Sequence, residues 1–185
     1  MKKHLKEILI SSFALMVIAA VVTAALAGTN ALTQDTIAKR TEEIQNEARK
    51  QVIAADSFEQ GAVTVSGEQL VYYTAYAGET VVGYVFTTES VGKSAGLTVM
   101  TGISNEGNIT GVVITEDNET AGYVDKVTKA GFLDAFDNKP AKELKPDVDV
   151  DTVSQATKTS VGICKAVNKA IGGYQAIKEG EADGK

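Results

Sequence analysis

With 185 residues, 44% of them hydrophobic, and a net charge of −6, the chain has material for one compact domain with appendages. It lacks the clustered Lys and Arg that a nucleic-acid surface requires, so no nucleic-acid partner is expected. A single cysteine, Cys164, excludes an internal disulfide and a cysteine-ligated iron–sulfur cluster, and a single histidine, His4, leaves no His-based metal site in the folded part. If this protein moves electrons, an organic cofactor must carry them.

Lys2, Lys3 and Lys6 precede an uncharged stretch, residues 8–27, broken only by Ser11, Ser12 and Thr23. That stretch is long enough to cross a bilayer. Ala25-Leu26-Ala27 also resembles a signal-peptidase site, but signal cores run about 7 to 15 residues, which favours a retained anchor. The lysines place the N-terminus in the cytoplasm and the body of the protein outside the membrane. Residues 32–55 are charged good helix formers with Ile37, Ile44, Ala48 and Val52 along one stripe. They read as a juxtamembrane amphipathic helix, capped by Thr33 or Asp35, that packs on the following domain or lies at the membrane surface. The expected organisation is an anchor over 1–28, this helix over 29–56, a folded domain over 57–178 and a polar, disordered tail over 179–185.

After Asp56 the pattern changes to period two or to continuous apolar runs, which predicts strands over 69–77, 80–88, 97–104 and 109–115. Ala77-Gly78-Glu79 and Asn105-Glu106-Gly107-Asn108 supply turn chemistry, so a twisted antiparallel meander is the simplest sheet. A helix over 157–177 and a shorter one over 124–136 provide apolar faces to cover it. The fold class is therefore α+β, an antiparallel sheet packed by helices, with one N-terminal transmembrane helix.

The stretch 151–160 reads Asp-Thr-Val-Ser-Gln-Ala-Thr-Lys-Thr-Ser and stands before apolar residues at helical spacing: Val161, Cys164, Val167, Ile171 and Tyr174. The N-terminus of such a helix has unpartnered N–H groups and partial positive charge, so a phosphate beside Thr157 would be stabilised there, with Lys158 and Lys165 adding charge. The plainer alternative is that Ser154 or Thr157 caps the helix. Cys164 lies on the apolar face and reads as a small buried residue. A second loop, residues 116–123, holds Glu116, Asp117 and Glu119; such a cluster can act in acid–base chemistry or bind a hard cation, and is more often merely solvated.

The first of these stretches resembles the Asp-x-x-[Ser/Thr]-Gly-Ala-Thr-x-[Ser/Thr]-Ser motif of the FMN-binding domain family, whose threonine carries FMN through a phosphoester. Asp151, Ser154, Ala156, Thr157, Thr159 and Ser160 match it, and Gln155 departs from it where glycine is usual. If that position needs a positive φ, glutamine is strained there. Lys158 fills the variable place. The resemblance implies covalent FMN on Thr157, with the motif's other residues around the phosphate. The 116–123 loop resembles the family's Glu-Thr-Pro-Gly-Leu-Gly segment near the flavin: Glu119, Thr120 and Gly122 match, while Ala121, Tyr123 and Val124 depart. An aromatic at Tyr123 could stack on the isoalloxazine. Asp125-Lys126 and Phe132-Leu133-Asp134 with Phe136 also follow the family, and Gly92 to Leu97 loosely resembles its glycine-rich turn.

An anchor, a juxtamembrane helix and an FMN domain together resemble the flavin subunits of membrane ion pumps, above all the G subunits of Rnf-type ferredoxin:NAD oxidoreductases. The larger C subunits of the sodium-pumping NADH:quinone oxidoreductase are the near alternative. The resemblance implies an electron relay with other membrane subunits as partners, and a magnesium-dependent flavin transferase for maturation. Without a Gly-x-Gly-x-x-Gly segment after a strand, the chain has no dinucleotide site of its own. A lone membrane-tethered flavin reductase and a flavin-free structural module are the readings from other classes.

Overall fold

The computed structural model describes residues 2–94 and 96–183. Ala95, in the glycine-rich turn, and the last two residues of the tail lie outside the described residues. The chain forms two units, residues 1–44 and 45–185.

A single helix, α1 (Lys2–Val52), runs through the first unit and ends in the second. The separate juxtamembrane helix expected from the sequence is thus its continuation. The Thr29 and Thr33 hydroxyls fold back onto this helix, each bonding to the carbonyl four residues earlier, Ala25 and Thr29, at 2.9 Å, so Thr33 is an interior helical residue and no cap. The helix is long and apolar enough to cross a membrane. Its large apolar side chains from Phe13 to Leu26 are all exposed, 44–68%, as suits a helix that is hydrophobic all round and solvated by lipid.

The second unit is built on a five-stranded antiparallel meander: β1 (Ser57–Val65), β2 (Glu68–Ala77), β3 (Thr80–Ser90), β4 (Leu97–Ser104) and β5 (Ile109–Asp117). The last four are the strands expected from the sequence, and β1 is an addition to them. That strand is a half-exposed edge containing Glu59, Gln60 and Gly61, so neither face shows an apolar run. After β5 come α2 (Tyr123–Lys129), a single 3-10 turn (Asp134–Phe136) and α3 (Thr157–Asp183). The shorter helix expected over 124–136 therefore breaks, because Gly131 takes a left-handed φ of 67° after Lys129. α3 outruns its expected end and takes in most of the tail expected to be disordered. There Tyr84 donates to Glu181 Oε1 at 2.7 Å and Lys178 pairs with Glu181 at 3.0 Å.

α3 covers one face of the sheet. Ile163, Val167, Ile171 and Tyr174 join Phe86, Leu97, Val99 and Ile109 in the main core, with Val127 and Phe136 from the intervening segment. The opposite face is covered by the end of α1, where Ala48, Val52 and Ile53 meet Ala75, Val85 and Met100. Gly102 and Gly111, cross-strand partners, open a slot there: a Cβ on either would lie 2.4 Å from Val52 O or 2.9 Å from Val52 Cα. Thr110 Oγ1 donates to the Val52 carbonyl at 2.5 Å, satisfying one of the acceptors that a helix end leaves open. Of the stripe read from the sequence, Ala48 and Val52 are buried, and Ile37 and Ile44 are exposed.

Candidate functional site

The hydroxyl-rich stretch folds as a turn feeding a helix. Ala156 N–H donates to Val153 O at 3.0 Å, closing a turn whose third residue, Gln155, has a φ of 63°. This is a place for glycine in a turn of this kind, and the glutamine occupies it at some steric cost. The helix begins on the next residue but one, Thr157, with Ser160 N–H donating to Ala156 O at 2.9 Å.

Among the described residues, neither Ser154 nor Thr157 makes a capping hydrogen bond, and no side chain accepts from the N–H groups of Thr157, Lys158 or Thr159. The capping alternative is therefore not realised, and the first donors of a 27-residue helix have no acceptor among the described residues. Ser154, Gln155, Thr157 and Lys158 are exposed around them, as is Asp151 at the head of the stretch. Two motif residues point inward instead. Ala156 is buried, and Ser160, fully buried, accepts from Val153 N–H at 3.1 Å and donates to Ala156 O at 3.2 Å, holding the turn to the helix. Thr159 is also fully buried, and its hydroxyl has no partner among the described residues.

Two loops converge on this helix end. Gly92 packs so closely that a Cβ on it would lie 3.0 Å from Thr159 Cα and 2.5 Å from Glu119 Oε1, and a Cβ on Gly162 would lie 2.8 Å from Gly92 Cα. Glu119 accepts the backbone N–H groups of Lys93 at 3.2 Å and Ser94 at 3.1 Å, while the Ser94 and Thr120 hydroxyls share a hydrogen bond of 2.8 Å. Gly122, at a φ of 83°, starts α2 and lets the chain turn at Tyr123. Tyr123, half-buried, receives a hydrogen bond from Lys93 Nζ, which holds its phenol below the ordinary tyrosine range. Lys126 Nζ lies 5.3 Å from the Tyr123 ring centroid and donates to Gln155 Oε1 at 3.3 Å.

The loop of Glu119, Thr120, Gly122 and Tyr123 thus stands beside the α3 end, with the Glu119 carboxylate engaged by backbone N–H groups. The carboxylates near it form no metal cluster among the described residues. Lys165 is turned away along α3 toward an open cavity of about 500 Å³ that it lines with Glu89, Ser90, Val91, Gly96 and Lys169. Cys164 is buried against Leu144 O, and burial pushes its thiol up, as suits a packing residue. Sequence reasoning did not single out Lys93, Lys126 or Gly162 as neighbours of the site. Only the glycines of 92–96 hinted at close approach.

The family model of the FMN-binding domain matches residues 92–172, which includes the β3–β4 loop, the β5–α2 loop and the first four turns of α3. The family model of the RnfG N-terminal region matches residues 1–52, all of α1. The chain is 32% identical over 188 residues to the G subunit of the Na(+)-translocating ferredoxin:NAD(+) oxidoreductase complex of Acetobacterium woodii, covering 89% of this chain and 90% of that one. It is also 32% identical over 188 residues to the G subunit of the ion-translocating oxidoreductase complex of Methanosarcina acetivorans, covering 95% and 98%. Helix, sheet and converging loops are thus matched along nearly their whole length, and the chain belongs to the family of G subunits of Rnf-type ion-translocating oxidoreductase complexes, with an FMN-binding domain as its folded body.

Proposed function

We propose that this chain is an electron-carrying subunit of a membrane ion-translocating ferredoxin:NAD oxidoreductase and that it holds FMN covalently on Thr157. The observation that carries the reading is an exposed threonine as first residue of a helix whose leading N–H groups have no acceptor among the described residues. An FMN phosphate fits there: the open donors and helix dipole favour an anion, and Lys126 stands next to Gln155. When bound, FMN supplies carriage of one or two electrons.

The residues of the chain do the rest. Thr157 would supply the oxygen: its Oγ1–P bond would form as the phosphoanhydride bond of a flavin dinucleotide donor breaks, the second nucleotide leaving as a monophosphate and the hydroxyl proton passing to a base of the attaching enzyme. That step calls for a separate magnesium-dependent flavin transferase. Ser160 and Ala156 fix the turn from inside, and Glu119 holds the β3–β4 loop against the helix through Lys93 and Ser94. Asp151, Ser154, Gln155 and Lys158 line the open side of the attachment point, and Thr120, Gly122 and Tyr123 line the ring side. A tether of this kind retains the flavin without an enclosing pocket, which leaves it accessible to redox partners in the other membrane subunits. α1 is the anchor; its leading lysines lie in the cytoplasm and the flavin domain on the outer side.

The test is intact mass and peptide mapping of the protein from its native membrane. A peptide containing Thr157 heavier by one FMN less one water is the expected result, and an unmodified Thr157 peptide would end the covalent reading.

A further inference from the structure

The side chain of Tyr123 has two cations near it. Lys93 Nζ is 3.9 Å from its ring centroid and donates to its phenol oxygen at 2.5 Å; Lys126 Nζ is 5.3 Å from the same centroid and reaches Gln155 Oε1 at 3.3 Å. The three side chains make a line from the residue two places ahead of Thr157 to the β3–β4 loop. Among the described residues, neither ammonium has a carboxylate within 4.0 Å. Glu119, the acid beside this line, has its two oxygens on the backbone N–H groups of Lys93 and Ser94, and Asp125 is exposed on α2.

We propose that Lys93, Tyr123 and Lys126 form a cationic rail that raises the midpoint potential of the flavin carried on Thr157. The proposal rests on the covalent flavin reading above. Electrons that reach a flavin ahead of protons leave negative charge on it, and fixed cations stabilise that charge more than the oxidised ring. Tyr123 adds an aromatic face and orients Lys93 through its phenol. The downward pull on that phenol reports the same positive potential at this place. Both lysines are exposed, so their effect is that of charges in a watery medium, about threefold each in the redox equilibrium and about tenfold together. Tenfold corresponds to about 30 mV for a two-electron couple.

The experiment compares full-length flavin-loaded protein with the Lys93→Gln, Lys126→Gln and double variants by redox potentiometry at low salt and at about 1 M salt. Mass analysis of the Thr157 peptide confirms the loading of each. The expected result is a midpoint lowered about tenfold in equilibrium constant in the double variant, with a smaller drop in each single variant and most of the difference erased by salt. A loaded double variant with the wild-type midpoint overturns the rail and leaves the flavin reading standing. A drop that salt does not reduce also overturns it, since that would report a displaced flavin and not a field. Absence of flavin from wild-type Thr157 removes the flavin reading and this inference with it.

Discussion

Gly162 of α3 lies directly against Gly92 of the β3–β4 loop: a methyl group on Gly162 would meet Gly92 Cα at 2.8 Å and Gly92 N and Val91 O at 3.0 Å. All three atoms are backbone, so the loop itself must move to admit it. Gly162→Ala is expected to cost about 1–3 kcal/mol from overpacking, offset by about 1 kcal/mol of helix propensity. Denaturant unfolding checks the net loss. Because the displaced loop is the one held by Glu119, flavin loading is expected to fall in the same variant.

Thr157→Val removes the proposed acceptor and keeps the shape of the side chain. Thr157 is exposed and its hydroxyl bonds to nothing among the described residues, so stability should stay within about 0.5 kcal/mol of wild type. Covalent flavin should vanish and electron transfer through the complex with it. Thr157→Ser is the control, expected to retain some loading. Mass spectrometry together with thermal unfolding separates loss of the acceptor from loss of the fold.

Gln155→Gly should stabilise the protein. The φ of 63° at this position is strained for an L-residue, and release of that strain is worth about 1 kcal/mol, while the exposed contact to Lys126 contributes little. The check is a higher denaturant midpoint at unchanged slope. A lower midpoint would mean that the Lys126 contact matters more than the strain.

Asp147 ties the approach to the motif: its Oδ1 accepts from Thr152 N–H at 2.9 Å and from the Thr152 hydroxyl at 2.7 Å. Those bonds, the backbone one first, hold the carboxyl below its ordinary range. The contribution to stability is therefore fully present above the ordinary aspartate pKa near 3.9 and is lost as pH falls through the lower folded value. Asp147→Asn should be less stable than wild type at neutral pH, with the gap closing under acid. Stability curves of the two proteins between neutral pH and about pH 2 test this.

Features set by neighbouring residues were legible in the sequence. The alternation in β2 to β5, the turns at Gly78 and Gly107 and the start of α3 at Thr157 all come from local pattern. β1 was not, because an edge strand with Gly61 opposite Tyr72 needs no apolar face of its own. The linear motif was legible for the same reason as α3. Glu119's hold on Lys93 and Ser94, and Gly92's fit against Gly162, join residues far apart in the chain, and periodicity carries no sign of them. The inward turn of Ser160 follows from helix phase, since it stands three and four places before the buried Ile163 and Cys164 and shares their face. The positive φ at Gln155 was anticipated as a condition of the motif and is present.

The order of the elements sets a timetable. Each strand of the meander pairs with its neighbour in the chain, so the hairpins form from near contacts and need nothing from the C-terminal end. Thr157, the proposed acceptor, stands on α3, which follows all five strands in the chain, and the turn and helix that present it are held by packing against β3 and β4. A chain that stops before α3 has the strands but neither the cover for their core face nor the proposed acceptor. Attachment of flavin would then report that folding has finished, and the modified residue would serve as a seal of quality on the completed domain.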